Sequence, residues 1–86
     1  MIQIELNYEG QVIIIQCNEK EKIKNIHTKF CTKTKLDEKN IFFIYDGSII
    51  NEELDIESVM NQLDKTRKRI NIIVGFKNRQ INGKKI

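Results

Sequence analysis

The segment 41–50 constrains the fold more than any other part of the chain. Five apolar residues in a row, 41–45, run into an Asp46-Gly47 pair, and two isoleucines follow after Ser48. An Asp-Gly pair between two β-forming segments is typical of a tight hairpin turn. A half-buried strand alternates between apolar and polar residues, whereas this strand is apolar on both faces. Its outer face is therefore either buried or meant to be covered by a partner.

Length and composition limit the chain to one small domain. It has 86 residues, of which 40% are hydrophobic and 31% are charged, and this is enough for one core. No stretch of about 20 apolar residues exists, so no transmembrane helix is expected, and the N-terminus lacks the blocks of a signal peptide. Cys17 and Cys31 are too few for a disulfide framework or a metal site. We expect a reduced, intracellular location, cytoplasmic or nuclear.

Charge is distributed unevenly along the chain. All 12 acidic residues lie between Glu5 and Asp64, whereas eight of the 15 basic residues follow Asp64. A basic end of this kind can favour an acidic protein surface, nucleic acid or anionic lipid. It can equally be a solvated, lysine-rich tail.

The hydrophobic period predicts a β-hairpin followed by one helix. Apolar and polar residues alternate from Ile2 to Leu6, and residues 7–10 supply a turn before a second strand at 12–17. From Asn18 the apolar spacing changes to three or four residues, which predicts a helix of about ten to twelve residues. Its inward face is Ile23, Ile26, His27, Phe30 and either Cys31 or Thr34.

The second half of the chain predicts three further strands and a short helical turn. The strands are 41–45, 48–50 and 70–74, and a polar, basic tail begins at Gly75. The helical turn lies in the acidic, irregular segment 51–62, and its expected anchors are Leu54, Ile56, Val59, Met60 and Leu63. Leu36 plugs the core after the helix. A hairpin, one helix and a mixed sheet of four or five strands make an α+β roll.

The spacing of core and turn residues matches a known family. The residues that carry this spacing are Ile23, Ile26, Phe30, Leu36, Ile44, Gly47 and Ile50. Their order resembles the ubiquitin-like β-grasp family, with the spacing of ubiquitin, and the run from Cys31 to Gly47 is similar to the SUMO branch. The resemblance implies a ubiquitin-like β-grasp domain at 1–76 and a basic tail at 77–86. It also implies a protein partner, either a component of the ubiquitin pathway or part of a larger assembly.

The strand period fixes which residues face outward. On the third strand these are Phe42 and Ile44, and on the last strand Asn71 and Ile73. The resemblance implies that these strands are neighbours and that their outer face corresponds to the main docking patch of ubiquitin. It also implies that Tyr8, in the first hairpin loop, and Gly47, in the second turn, belong to this partner-binding site.

An apolar surface on a small monomer usually marks a contact site. A genome rich in A/T also supplies isoleucine at strand positions without any functional reason. Phe42 favours binding, because that bias does not demand an exposed aromatic side chain.

A second candidate site is a peptide groove beside the second strand. The SUMO branch binds an extended peptide there by β-augmentation. Val12 and Ile14 on the strand, with Lys29 and Lys33 on the helix, are the candidate residues here. The lysines could attract acidic residues beside a peptide, although Gln16 stands where SUMO has a helpful lysine.

No pattern in the sequence favours catalysis. His27 and the two cysteines are expected in the core, and no third residue orients a Cys–His pair. A phosphate-cradling glycine loop is missing, as are the four cysteines of an iron–sulfur site. We therefore expect no enzymatic activity, no cofactor and no metal.

The expected function is a non-catalytic ubiquitin-like domain that docks a protein partner through its outer sheet face. One alternative is a ubiquitin- or SUMO-like modifier conjugated after tail processing, but the tail lacks Gly-Gly, and a cut after Gly83 would leave Asn82-Gly83. A third interpretation is a basic nucleic-acid-binding module built on residues 65–69. Nucleic acid is the less favoured partner, because the glycine–aromatic motif of RNA-binding sheets is missing.

Overall fold

The computed structural model describes residues 1–77, which form a five-stranded mixed sheet packed on one main helix. The strands are β1 (Ile2–Tyr8), β2 (Gln11–Cys17), β3 (Ile41–Tyr45), β4 (Ser48–Ile49) and β5 (Arg69–Phe76), and the helices are α1 (Ile23–Thr34), α2 (Ile56–Val59) and α3 (Gln62–Arg67). The strand order is β2-β1-β5-β3-β4. In the middle, β5 runs parallel to β1 and antiparallel to β3. The expected α+β roll is confirmed.

Two tight turns set the register of the outer strand pairs. Glu9 and Gly10 join β1 to β2, Asp46 and Gly47 join β3 to β4, and all four residues have φ between 48° and 83°. Two consecutive residues with positive φ are typical of a type I′ turn, whose twist matches that of the flanking strands. The first turn is shorter than the expected 7–10, because β1 continues to Tyr8.

The core lies between α1 and the inner face of the sheet. Alternate residues of β1, β3 and β5 are buried there, as the strand period predicts. Phe30 of α1 is fully buried. Its ring packs edge-on against Tyr8 at a centroid distance of 5.5 Å and against Phe43 at 6.0 Å. This aromatic cluster joins the helix to both halves of the sheet.

Several expectations for the second half of the chain were wrong in detail. Residues 62–67 form α3, a helix that the sequence pattern does not predict. β5 continues to Phe76, which packs against the core, so the tail does not begin at Gly75. Leu63 is not a core anchor, because it is 64% exposed, and Leu54 is 40% exposed. No helix within residues 1–77 is long and apolar enough to cross a membrane.

A buried carboxylate fastens α3 to β3. Asp64 accepts hydrogen bonds from the Tyr45 hydroxyl at 2.5 Å and from the Arg67 guanidinium at 2.7 Å. The Tyr45 hydroxyl in turn accepts one from the backbone N–H of Asn61 at 3.0 Å. Burial alone would raise the pKa of Asp64, but the two hydrogen bonds outweigh it and the pKa is lowered. Burial, helped by the bond to Asp64, raises the pKa of Tyr45.

Candidate functional site

The sheet register brings outward-facing isoleucines of three neighbouring strands into one row. Ile73 of β5 pairs with Ile44 of β3, and Ile44 pairs with Ile49 of β4. Ile73 is 56% exposed, Ile49 is 68% exposed, and Ile44 is half-buried. Phe42, two residues before Ile44, lies on the same face. We call Phe42, Ile44, Ile49 and Ile73 the outer apolar patch.

Ile49 is a member of this patch that the sequence argument missed. The signal was present, because a two-residue turn at Asp46 and Gly47 pairs Tyr45 with Ser48 and therefore Ile44 with Ile49. Residues paired across a ladder share a face of the sheet. The outward direction of Ile44 thus carries over to Ile49.

Phe42 has a structural task besides any contact with a partner. It pairs with Gly75 of β5, and a Cβ atom on Gly75 would lie 2.4 Å from Cζ of the Phe42 ring. The ring therefore lies over the bare backbone of Gly75 and is half-buried. An aromatic ring over a cross-strand glycine supports the sheet. The presence of Phe42 is thus a weaker argument for binding than the sequence suggests.

The other residues expected in this site are placed differently. Tyr8 lies on the inner face against Phe30, so its expected position beside the patch is wrong. The reason is that β1 extends through Tyr8, and the even-numbered residues of β1 face α1. Asn71 does lie on the outer face, where its side-chain oxygen accepts a hydrogen bond from Asn7 at 3.4 Å. Gly47 is exposed in its turn and contributes backbone only.

A polar band on β1 separates the outer apolar patch from β2. Gln3, Glu5 and Asn7 form the outward side of β1. Hydrogen bonds from Gln3 and Arg69 hold the pKa of Glu5 below its usual value, and Arg69 contacts the Glu5 carboxylate at 3.1 Å. The carboxylate therefore stays ionised and its charge is balanced by a neighbouring cation.

The structure contains a groove at the expected peptide site between β2 and α1. Its volume is about 400 Å³, and it is lined by Ile14, Ile15, Gln16, Thr28, Lys29, Thr32 and Lys33. On the adjoining edge strand, Val12 and Ile14 are 53% and 50% exposed. Lys29 forms an ion pair with Glu21 at 3.7 Å. Within residues 1–77, Lys33 is thus the one groove lysine without an ion pair, and the attraction for an acidic peptide is reduced.

The side chains that might suggest catalysis, His27, Cys17 and Cys31, are buried in the core. Nδ1 of His27 lies 2.6 Å from a Glu52 carboxylate oxygen, and Nε2 lies 3.0 Å from the backbone oxygen of Glu38. Burial raises the pKa of the Cys31 thiol to about 11, so the thiol is protonated and a poor nucleophile. Burial also raises the pKa of Cys17. These groups serve packing and hydrogen bonding.

Three of the four basic residues in 65–69 are paired with acids of the same chain. The pairs are Arg67 with Asp64 at 2.7 Å, Lys68 with Glu19 at 3.7 Å and Arg69 with Glu5 at 3.1 Å. Binding to nucleic acid depends on cations that are free to replace the counterions of phosphate. This segment therefore offers less positive charge to nucleic acid than its sequence suggests. Of the basic residues that follow, those at 79, 84 and 85 lie outside the described residues.

Comparisons with known proteins support the fold. No family model matches the sequence, and a search of curated proteins finds no match. A chain in the crystal structure of ATBAG1 in complex with HSP70 matches with a TM-score of 0.74 and 8% sequence identity. The match covers 96% of this chain and 44% of that chain, so this chain spans less than half of its length. The chain has an α+β, ubiquitin-like β-grasp fold.

Proposed function

We propose that this chain is a non-catalytic ubiquitin-like domain that binds a protein partner through the outer apolar patch. The observation that supports this best is the row formed by Ile73, Ile44 and Ile49, with two of the three side chains more than half exposed. Burying aliphatic surface contributes about 25 cal/mol per Å². A contiguous exposed apolar patch on a small domain is typical of a contact site.

The charge-balanced band beside the patch would give such an interface its polar rim. Glu5 and Arg69 already satisfy one another, so a partner can cover them without leaving an unpaired charge. Interfaces generally combine an apolar centre with a polar surround. The outer sheet face has both parts.

The partner class is proposed as a protein, from the ubiquitin pathway or from a larger assembly. The similar solved structure holds ATBAG1 in complex with HSP70, which is an example of this fold type in a protein complex. HSP70 is the partner of that protein. We propose residues 1–76 as the intracellular binding domain and 77–86 as a basic tail. The alternative of a conjugated modifier depends on Asn82 and Gly83, which lie outside the described residues.

Replacing Ile44 and Ile73 together with serine should weaken partner binding about 100-fold. The reason is that central apolar anchors typically contribute about 1–2 kcal/mol each to an interface. The partner is first isolated on the immobilised wild-type domain, identified and purified. Calorimetric titration of the purified partner then gives the Kd for the wild type and for the double variant.

The matched control is Leu63→Ser, which removes a leucine of α3 that is 64% exposed, against 56% for Ile73, and lies outside the outer apolar patch. It should bind the partner as tightly as the wild type does. Equal affinity of the double variant and the wild type would reject the outer apolar patch as the site. Loss of the folded circular dichroism spectrum in the double variant would show instead that these isoleucines are needed for the core.

A further inference from the structure

The outer edge of β2 is an unusual edge for a small domain. Its sequence, Gln-Val-Ile-Ile-Ile-Gln-Cys, has seven residues with no charge and no proline. Proteins normally protect a sheet edge with charges, proline, a bulge or a very short strand. The opposite edge, β4, follows this rule with two residues, but β2 does not. Within residues 1–77, no strand lies beyond β2.

The hairpin fixes which backbone groups of β2 face this edge. A two-residue turn makes Tyr8 and Gln11 a hydrogen-bonded pair, and such pairs alternate along an antiparallel ladder. The N–H and C=O groups of Val12, Ile14 and Gln16 therefore point away from β1. They are the groups that an added strand would bond.

We propose that a second copy of this chain adds its own β2 to this edge, giving a two-fold symmetric dimer with one continuous sheet. Antiparallel pairing about an axis through Ile14 sets Ile14 opposite Ile14 and Val12 opposite Gln16. This register uses the outward backbone groups of all three residues in both copies, which gives about six hydrogen bonds. The paired strands themselves carry no charge.

The groove beside β2 suits an uncharged strand. In the proposed register, the inner-face residues Ile13 and Ile15 of the second copy stay in their own core, where Ile15 is 6% exposed and Ile13 is packed against the core cluster. Because Lys29 is already paired with Glu21, an acidic strand would gain the attraction of Lys33 alone. A second β2 carries no charge of its own, so its pairing does not depend on the groove lysines. The groove therefore gives an acidic peptide little advantage over the uncharged β2 of a second copy.

The dimer edge, on β2, and the outer apolar patch, on β5, β3 and β4, lie towards opposite edges of the sheet. β1 and β5 stand between β2 and β3, so both surfaces can be occupied at once. A dimer would then present two patches, and a partner with two binding sites would gain affinity from the linkage. The dimer goes beyond the proposed function and does not depend on it.

Sedimentation equilibrium of the full chain over a range of concentrations tests the proposal. The wild type should approach twice the monomer mass as concentration rises, with slowed amide hydrogen exchange at Val12, Ile14 and Gln16. Ile14→Lys sets two lysines opposite each other on the two-fold axis, so the dimer Kd should rise about tenfold or more. Leu63→Lys adds the same charge on α3, at a site that is 64% exposed against 50% for Ile14, and should leave the dimer Kd unchanged.

The double variant Val12→Lys, Gln16→Glu tests the register. It sets each new lysine opposite a new glutamate of the other copy, so the dimer should persist and become sensitive to salt. This variant and amide exchange in the wild type decide the outcome even if Ile14→Lys does not fold. A wild type that stays monomeric at millimolar concentration would overturn the proposal. So would association that survives Ile14→Lys but is lost when Ile44 and Ile73 become serine.

Discussion

Phe30→Ala is expected to lower the free energy of unfolding by about 3–5 kcal/mol, the usual cost of emptying a buried phenylalanine site. Phe30 is fully buried and its ring contacts both Tyr8 and Phe43. The loss therefore combines apolar burial with two edge-on aromatic contacts. The total free energy of unfolding of natural domains is about 5–15 kcal/mol, so this substitution removes a large share of the stability. Urea unfolding followed by circular dichroism measures the difference.

Phe30→Leu is the matched comparison, because it keeps an apolar side chain in the same place. It should cost clearly less, about 1–2 kcal/mol. The melting temperature of the alanine variant should fall by about 12–40 °C, at about 4–8 °C per kcal/mol for a domain of this size. A cost below 1 kcal/mol for the alanine variant would contradict the central place that we give to this ring.

Asp64→Asn is expected to cost about 2–3 kcal/mol at neutral pH, because hydrogen bonds to a charged group are worth about 1.5–3 kcal/mol. The carboxylate accepts from both Tyr45 and Arg67, whereas an amide has one oxygen and adds two N–H donors to the same place. Chemical unfolding of the variant and the wild type at pH 7 gives the difference in free energy.

The pH dependence follows from the direction of each pKa shift. Since the pKa of Asp64 is lowered in the folded chain, its contribution is complete above the ordinary aspartate pKa and is lost as pH falls through the lowered value. The raised pKa of Tyr45 acts in the opposite direction. Its contribution is complete below the ordinary tyrosine pKa and is lost as pH rises through the raised value. The difference between wild type and Asp64→Asn should therefore shrink in acid.

Asp46→Asn serves as the control for this charge change. Asp46 is exposed, and its φ of 55° lies in the left-handed region that asparagine also tolerates. The variant should differ from the wild type by less than about 0.5 kcal/mol at any pH. If both variants lost equal stability at pH 7, net charge rather than the Asp64 hydrogen bonds would be responsible.

The sheet and main helix could be predicted because their signals are local. The turn residues Gly10 and Gly47 take the positive φ that a two-residue hairpin needs, and the three- and four-residue spacing in 23–34 predicts α1 directly. Strand 41–45 was placed correctly at both ends. These features depend on neighbours in sequence, which a single sequence displays.

α3 was missed because it has little apolar periodicity. Its one large apolar side chain, Leu63, points to solvent, and the helix is held by the polar contacts of Asp64. A usable signal did exist. Asn61 accepts a hydrogen bond from the backbone N–H of Asp64 at 2.8 Å, and an asparagine before a short polar run is a common helix start.

The candidate site could be predicted in part. The alternation of side chains along each strand placed Ile44, Ile73 and Phe42 on one face. The same rule places Tyr8 on the inner face, because β1 extends through it. The sequence does not show that β5 continues past Gly75, because a glycine normally weakens a strand. Only the paired strand reveals that Phe42 covers this glycine. Contacts between distant segments of the chain decide such cases.

The parallel pairing of β1 with β5 also determines how the domain responds to mechanical force. Residues 3–7 lie beside residues 69–73, so the two terminal strands are joined to each other in the middle of the sheet. Hydrogen bonds between strands lie across the strand direction. Tension applied to the two ends of the domain would therefore load these bonds in shear and together, not one after another. A domain with this strand arrangement should therefore resist unfolding when it is pulled at its two ends.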